Sequence, residues 1–148
     1  MRSALMALPL LFAFVAGAAA AEDAGQIKTS KGSAQIERSG QKLSAAVGQV
    51  VQQGDTVVTG ADGSVGITFR DSSLVSIGPD SVLVIDRFVF DPTTHQGNFD
   101  ASLKQGTLAV VSGKLAKQSP DAMKVKTPAA ILGVRGTEFL VRTAPAKD

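Results

Sequence analysis

The sequence predicts an all-β protein: one compact domain of short strands, preceded by a cleavable signal peptide. Three observations carry that expectation. From Gly25 onward, glycine, aspartate, serine and proline interrupt the chain about every eight to twelve positions, a spacing typical of sandwiches, barrels and solenoids. The runs between them are rich in Val, Ile, Thr and Phe and alternate with polar residues at the period of a strand. Glycine is abundant, at 15 residues, while aromatics reduce to seven Phe with no Trp or Tyr, which fits tight turns between thin strands.

The elements follow in order. Gln26–Thr29 and Ser33–Arg38 read as a leading hairpin joined by Ser30-Lys31-Gly32, and Ser39-Gly40 turns the chain again. Leu43–Val47 has room for one helical turn, and no other stretch has helical periodicity. Gly48 and Gly54-Asp55 bracket the short apolar piece Val50-Val51, and Thr56–Thr59 is a β-branched strand ending at Gly60. A weak repeat then places Asp62, Asp71 and Asp80 every ninth residue, each followed by an apolar run. An aspartate at such a corner accepts backbone N–H groups two residues on. The repeat therefore makes strand, turn, strand, as an antiparallel meander or as rungs of a short solenoid. Arg87–Phe90 continues the last run, Asp91-Pro92 ends it, and Thr93–Gly97 is a polar loop. Phe99, Ala101 and Leu103 alternate with polar residues, and Gln105-Gly106 turns into Leu108–Val111. Gly113–Pro120 is loose and polar. Met123 and Val125 alternate with lysines, Thr127-Pro128 breaks the ladder, Ile131–Val134 is apolar, and Thr137–Val141 is the last strand. Meander, sandwich and solenoid all satisfy this pattern. The domain spans residues 25–142, with a flexible tail over 143–148.

Residues 1–21 read as an export signal. Arg2 supplies a positive start, Ala4 to Val15 is uncharged and apolar, and Ala19-Ala20-Ala21 is a small-residue cleavage site. The apolar run falls short of the roughly 20 residues a spanning helix needs, and Glu22-Asp23 follows where an anchor would carry basic residues. The expected product has no membrane span after cleavage and resides in the periplasm or outside the cell.

Composition narrows the function. The net charge is +2 and drops to +1 without Arg2, with no basic cluster and few aromatics for stacking, which argues against nucleic-acid binding. There is no cysteine and a single histidine, His95, in a polar loop, so neither a thiolate nor a zinc site is expected. No G-x-S-x-G elbow is present, and nearly all the aspartates sit at turns, where they cap. The nonapeptide period resembles calcium β-rolls, but the glycines that let carbonyls reach the ion are missing, and Pro79 stands before Asp80. No catalytic residue, metal or cofactor is expected, and no enzymatic activity.

One segment stands apart. Gly133 and Gly136 flank Arg135 inside an apolar run, and glycine within a strand marks a bulge or a close backbone approach. Arg135, Gly136, Thr137 and Glu138 form either a partner-contact motif or a structural one, with Arg135 folded back on Asp55 or Asp71.

The pieces Gly54-Asp55-Thr56-Val57-Val58-Thr59-Gly60, Asp71-Ser72-Ser73-Leu74, Gly78-Pro79-Asp80-Ser81, Gly106 and Gly133-Val134-Arg135-Gly136-Thr137-Glu138-Phe139 occur in this order. With their spacing they resemble the FecR domain family, from about Gly48 to Val141, or from about Gly25 if the leading hairpin is counted. The resemblance implies an all-β extracytoplasmic module. In the founding members it is the periplasmic part of a transmembrane regulator relaying a signal from an outer-membrane transporter to a sigma factor. This chain resembles the free-standing exported versions. The expected function is a non-catalytic binding or sensing module acting by contact with an envelope protein yet to be identified. The alternative is a structural envelope protein that self-associates through its sheet edges.

Overall fold

A computed structural model describes residues 23–133 and 138–144. The chain forms β1 (Asp23–Lys31), β2 (Ala34–Arg38), β3 (Gln41–Ser44), β4 (Val50–Gln52), β5 (Thr56–Thr59), β6 (Ser64–Phe69), β7 (Leu74–Ile77), β8 (Val82–Phe90) and the long β9 (Gly97–Val111). A short helix, α1 (Lys114–Gln118), and a 3-10 turn (Pro120–Ala122) lead to β10 (Met123–Lys126), β11 (Ile131–Gly133) and β12 (Glu138–Thr143). The all-β expectation holds. β1 begins slightly before the expected start at residue 25, and Thr143, assigned to the tail, pairs with Gly106 as the last residue of β12. The signal segment 1–21 and most of the tail lie outside the described residues.

The strands form one sheet folded over along a line into two facing halves. The first half runs β4-β1-β6-β7-β9-β12, and the second runs β3-β2-β5-β8-β9-β10-β11. Three ribbons cross the fold line. β1 continues as β2, β5 as β6, and β7 as β8, each bending at a short corner. β9 crosses within one strand, its first part pairing with β8 and its second with β7. All pairings are antiparallel except β10 on β9, which is parallel. A solenoid is excluded, because its rungs would stack in parallel.

This geometry changes three sequence readings. Ser30-Lys31-Gly32 is not a hairpin turn. β1 pairs with β4 and β6, whereas β2 pairs with β3 and β5, so Gly32 carries one ribbon from one half to the other. Gln105-Gly106 is likewise no turn but the bend of β9. Gly106 has φ +99°, and a Cβ there would collide with Ser81. The Asp62, Asp71 and Asp80 repeat is a meander for β6 and β7 alone, since β8 leaves for the other half to pair with β5 and β9.

Alternation dictates the core. Val65, Ile67 and Phe69 of β6 are buried, and so are Val75 and Ile77 of β7. They face Ile36, Val57, Leu83, Ile85, Ala101 and Leu103 from the other half, in one continuous cluster. The halves meet through aromatic rings. Phe69 lies 5.5 Å from Phe88 and 4.4 Å from Phe99, and the latter two meet edge-on at 5.1 Å. Helix α1 corrects the expectation of a loose loop. It has five residues, too few for visible periodicity, yet it inserts a fully buried Leu115 into the core. Leu43–Val47 forms no helical turn; a β-turn there is closed by the Gln49 N–H donating to Ala46 O at 3.0 Å.

Candidate functional site

The polar residues that look like chemistry are distributed over three buried corners. The first lies on the fold line. Thr59 Oγ1 donates to Gly78 O at 2.6 Å and accepts the Ser81 N–H at 2.9 Å. Ser81 Oγ accepts the Thr107 N–H at 3.0 Å and donates to Pro79 O at 3.0 Å. Gly60 N–H donates to Ser33 O, and Gly60 O accepts the Asp80 N–H, so the corners of neighbouring ribbons are stitched side by side. A bend removes the regular ladder partner of each crossing strand, and hydroxyls supply the missing bonds.

The second corner is Asp71-Ser72-Ser73. Asp71 is buried, accepts the Ser73 N–H at 3.1 Å and takes the Ser73 hydroxyl at 2.7 Å. Ser73 Oγ in turn accepts the Gly113 N–H at 3.1 Å, and Asp71 O accepts the Lys114 N–H at 2.7 Å, which starts α1. The expected capping role is found here. Asp62 works differently, accepting the distant Ser33 N–H at 3.2 Å. Asp80 contributes backbone groups and adopts φ +50°.

The third corner holds Asp55, whose side chain is 1% exposed. Arg38 grips it with two bonds, Nε to Oδ1 at 2.8 Å and Nη2 to Oδ2 at 2.7 Å, and the Gln52 N–H adds a third at 2.8 Å. Hydrogen bonding to Asp55 is the main reason the Arg38 pKa is raised, against the opposing effect of its partial burial. Arg38 was not singled out in the sequence. Its pairing forms across β2 and the β4–β5 turn, a contact between segments 17 residues apart.

Both acceptors considered for Arg135 are thus engaged by other groups. Arg135, Gly136 and Thr137 lie outside the described residues. Glu138 is described: it opens β12 opposite Val111, and its side chain is exposed. His95 sits at φ +60° and stacks on Phe90 at 5.9 Å. The Thr93 N–H, then the Thr94 N–H, hold the neighbouring Asp91 carboxyl below its ordinary pKa. No cluster of three metal-ligating side chains occurs among the described residues.

What the corners do not consume is an apolar strip at the edge of the first half. β12 pairs with β9 in unbroken register from Glu138↔Val111 to Thr143↔Gly106. Phe139 and Val141 turn inward, leaving Glu138, Leu140 and Arg142 outward, with Leu140 64% exposed. Next to them stand Leu74 and Ser76 of β7 and Ala109 and Val111 of β9, in the cross-strand rows Leu74–Val111–Glu138 and Ser76–Ala109–Leu140. These six line a shallow cleft of about 390 Å³. The larger depression, about 510 Å³, runs between Asp23, Gln26, Lys28 and Arg70. Its polar groups already bond within the chain: Lys28 to Gln26, Gln26 to Gly48 O, and Arg70 to Asp23 O.

The free edges among the described strands differ in protection. β4 and β11 have three residues each, and β3 has four and carries Lys42. Short strands and lysines blunt an edge against added strands. β12 has six residues with no proline, no lysine and no bulge. The signal for it in the sequence is the unalternated run Phe139-Leu140-Val141, in which one of three apolar neighbours must face outward in a strand.

The family model described as FecR protein matches residues 55–147, more than half of the chain. It begins at the buried Asp55 and includes the Asp71, Ser81 and Gly106 corners as well as β12. No curated protein and no solved structure matches significantly.

Proposed function

The chain belongs to the FecR family, a regulatory and signalling family associated with the bacterial envelope, and on that premise we propose that it is a non-catalytic sensing module of the envelope that works by protein contact. The contact is strand addition. An extended segment of a partner envelope protein pairs its backbone with the outer edge of β12 and lays apolar side chains along Leu140, Leu74 and Val111. The observation that carries this reading is the contrast among edges: β12 is the longest described free edge, unbroken by proline or bulge, with the exposed Leu140 at its centre. The corners support it from the other side, because their polar atoms are already bonded and no described buried side-chain N or O lacks a partner. The periplasm is the compartment this reading requires.

A photo-crosslinking residue at position 140, in cells expressing the whole chain, tests the proposal. A discrete adduct with an envelope protein is expected at 140 and not at Lys42 on the opposite edge. Equal labelling from both positions, or none at 140, overturns it.

A further inference from the structure

The edge that receives the partner is also complementary to itself. Glu138, Leu140 and Arg142 all point outward from β12, with an acid at one end, a leucine in the middle and a base at the other. Two copies of this strand placed antiparallel about a two-fold axis at Leu140 bring Glu138 opposite Arg142 of the second copy, twice. Leu140 meets its own counterpart. On the inner side, Phe139 comes opposite Val141, twice, so the half-buried Phe139 gains a neighbour that continues the core. Side chains directly opposite in an antiparallel pair share a face, so every outward residue meets an outward one.

Sliding the axis by one residue along β12 breaks this match. It sets Glu138 against Leu140 in one direction and Leu140 against Arg142 in the other. A slide of two residues opposes like charges, Glu138 to Glu138 or Arg142 to Arg142. The register centred on Leu140 is the one that pairs opposite charges and joins the two exposed leucines.

From this we infer that β12 pairs with β12 of a second copy, closing a two-fold dimer in which the first halves of two molecules form one continuous sheet. The inference rests on the reading of β12 as the contact edge and adds to it a resting state. A partner strand and a second copy use the same backbone groups, so each excludes the other. A closed two-fold contact uses up its own edge and does not propagate into filaments. This separates it from open-ended assembly. Six-residue strands bury less than a permanent interface needs, so the dimer is weak and readily displaced.

The chain contains no cysteine, and the outward residues are not part of the core, so the test is direct. Sedimentation of the protein purified from cells expressing the whole chain is expected to show a monomer–dimer equilibrium below about 0.5 mM. Glu138→Arg and Arg142→Glu each turn two attractive contacts into repulsive ones and should weaken association by about tenfold to a hundredfold. Mixing the two variants restores unlike charges at both positions, and a heterodimer of near wild-type affinity is expected. Leu140→Cys should oxidise to a disulfide dimer, because opposite Cα atoms in this register fall within disulfide reach. It should do so faster than Val47→Cys, which is equally exposed at 65% but lies elsewhere. A wild-type protein that stays monomeric at about 0.5 mM overturns the dimer, as do single variants that associate unchanged or a mixture that fails to recover. A monomer that still crosslinks an envelope protein through position 140 in cells leaves the partner reading standing. A dimer with no such adduct does the reverse.

Discussion

The fold-line corners and the β12 edge handle polarity in opposite ways. At the corners, residues that resemble catalytic or metal-binding groups (Asp55, Asp71, Ser73, Ser81 and Thr59) are buried and bonded to backbone or to Arg38. At the edge, ordinary residues stay exposed, and no other described strand pairs with the outer side of β12. The difference teaches that in this chain the acids and hydroxyls make the architecture. What the proposed contact would use is backbone, a few aliphatic side chains and two opposite charges. A folded sheet forces this division. Every strand that crosses the fold line loses regular ladder bonds and must replace them locally, whereas an edge strand loses bonds on its outer side only and can leave them to water or to a partner.

Substitutions test that contrast, beginning with the largest effect. Arg38→Ala strands the buried Asp55 carboxylate with one backbone N–H. A loss of about 3 kcal/mol is expected in urea unfolding, at the lower end for a broken buried pair because water reaches it from the Arg38 side, which is 28% exposed. A loss under about 1 kcal/mol would place the pair among surface ion pairs and weaken the distinction between corner and edge. Asp71→Ala leaves the Ser73 N–H and hydroxyl without their acceptor, at an expected cost of about 1–3 kcal/mol. Hydrogen exchange sharpens this one: the Gly113 and Lys114 amides, held by the same corner, should lose protection together. Leu140→Ser should be nearly silent in stability, within about 0.5 kcal/mol, while removing the dimeric species. A stability loss comparable to that of Asp71→Ala would mean that the edge, too, belongs to the fold.

The strands themselves were legible because burial follows alternation. Asp55 to Phe69 and Asp71 to Ile77 bury every second residue with hardly a break, and the same pattern appears in the amino acids. The turn role of Asp71 was legible for a local reason, since its acceptor geometry reaches only two residues ahead. Arg38 on Asp55 was not, and neither was the destination of each ribbon. Gly32 and Gly106 read as turns because a glycine with positive φ serves a hairpin and a sharp bend equally well. Helix α1 was hidden by its brevity. Of the predicted contact segment, Glu138 takes its place at the start of β12, and Leu140, the centre of the exposed strip, is not legible in the sequence because an apolar residue in an apolar strand looks like core.

Period, turn chemistry and composition therefore established an all-β chain of short strands with capped corners, because those properties act over a few neighbouring residues. Which half each strand joins, which carboxylate meets which arginine, and which of the described edges is left bare were settled by packing. Those are contacts between segments far apart in the chain, and a sheet that folds over on itself chooses them by closing a single core around Phe69, Phe88 and Phe99.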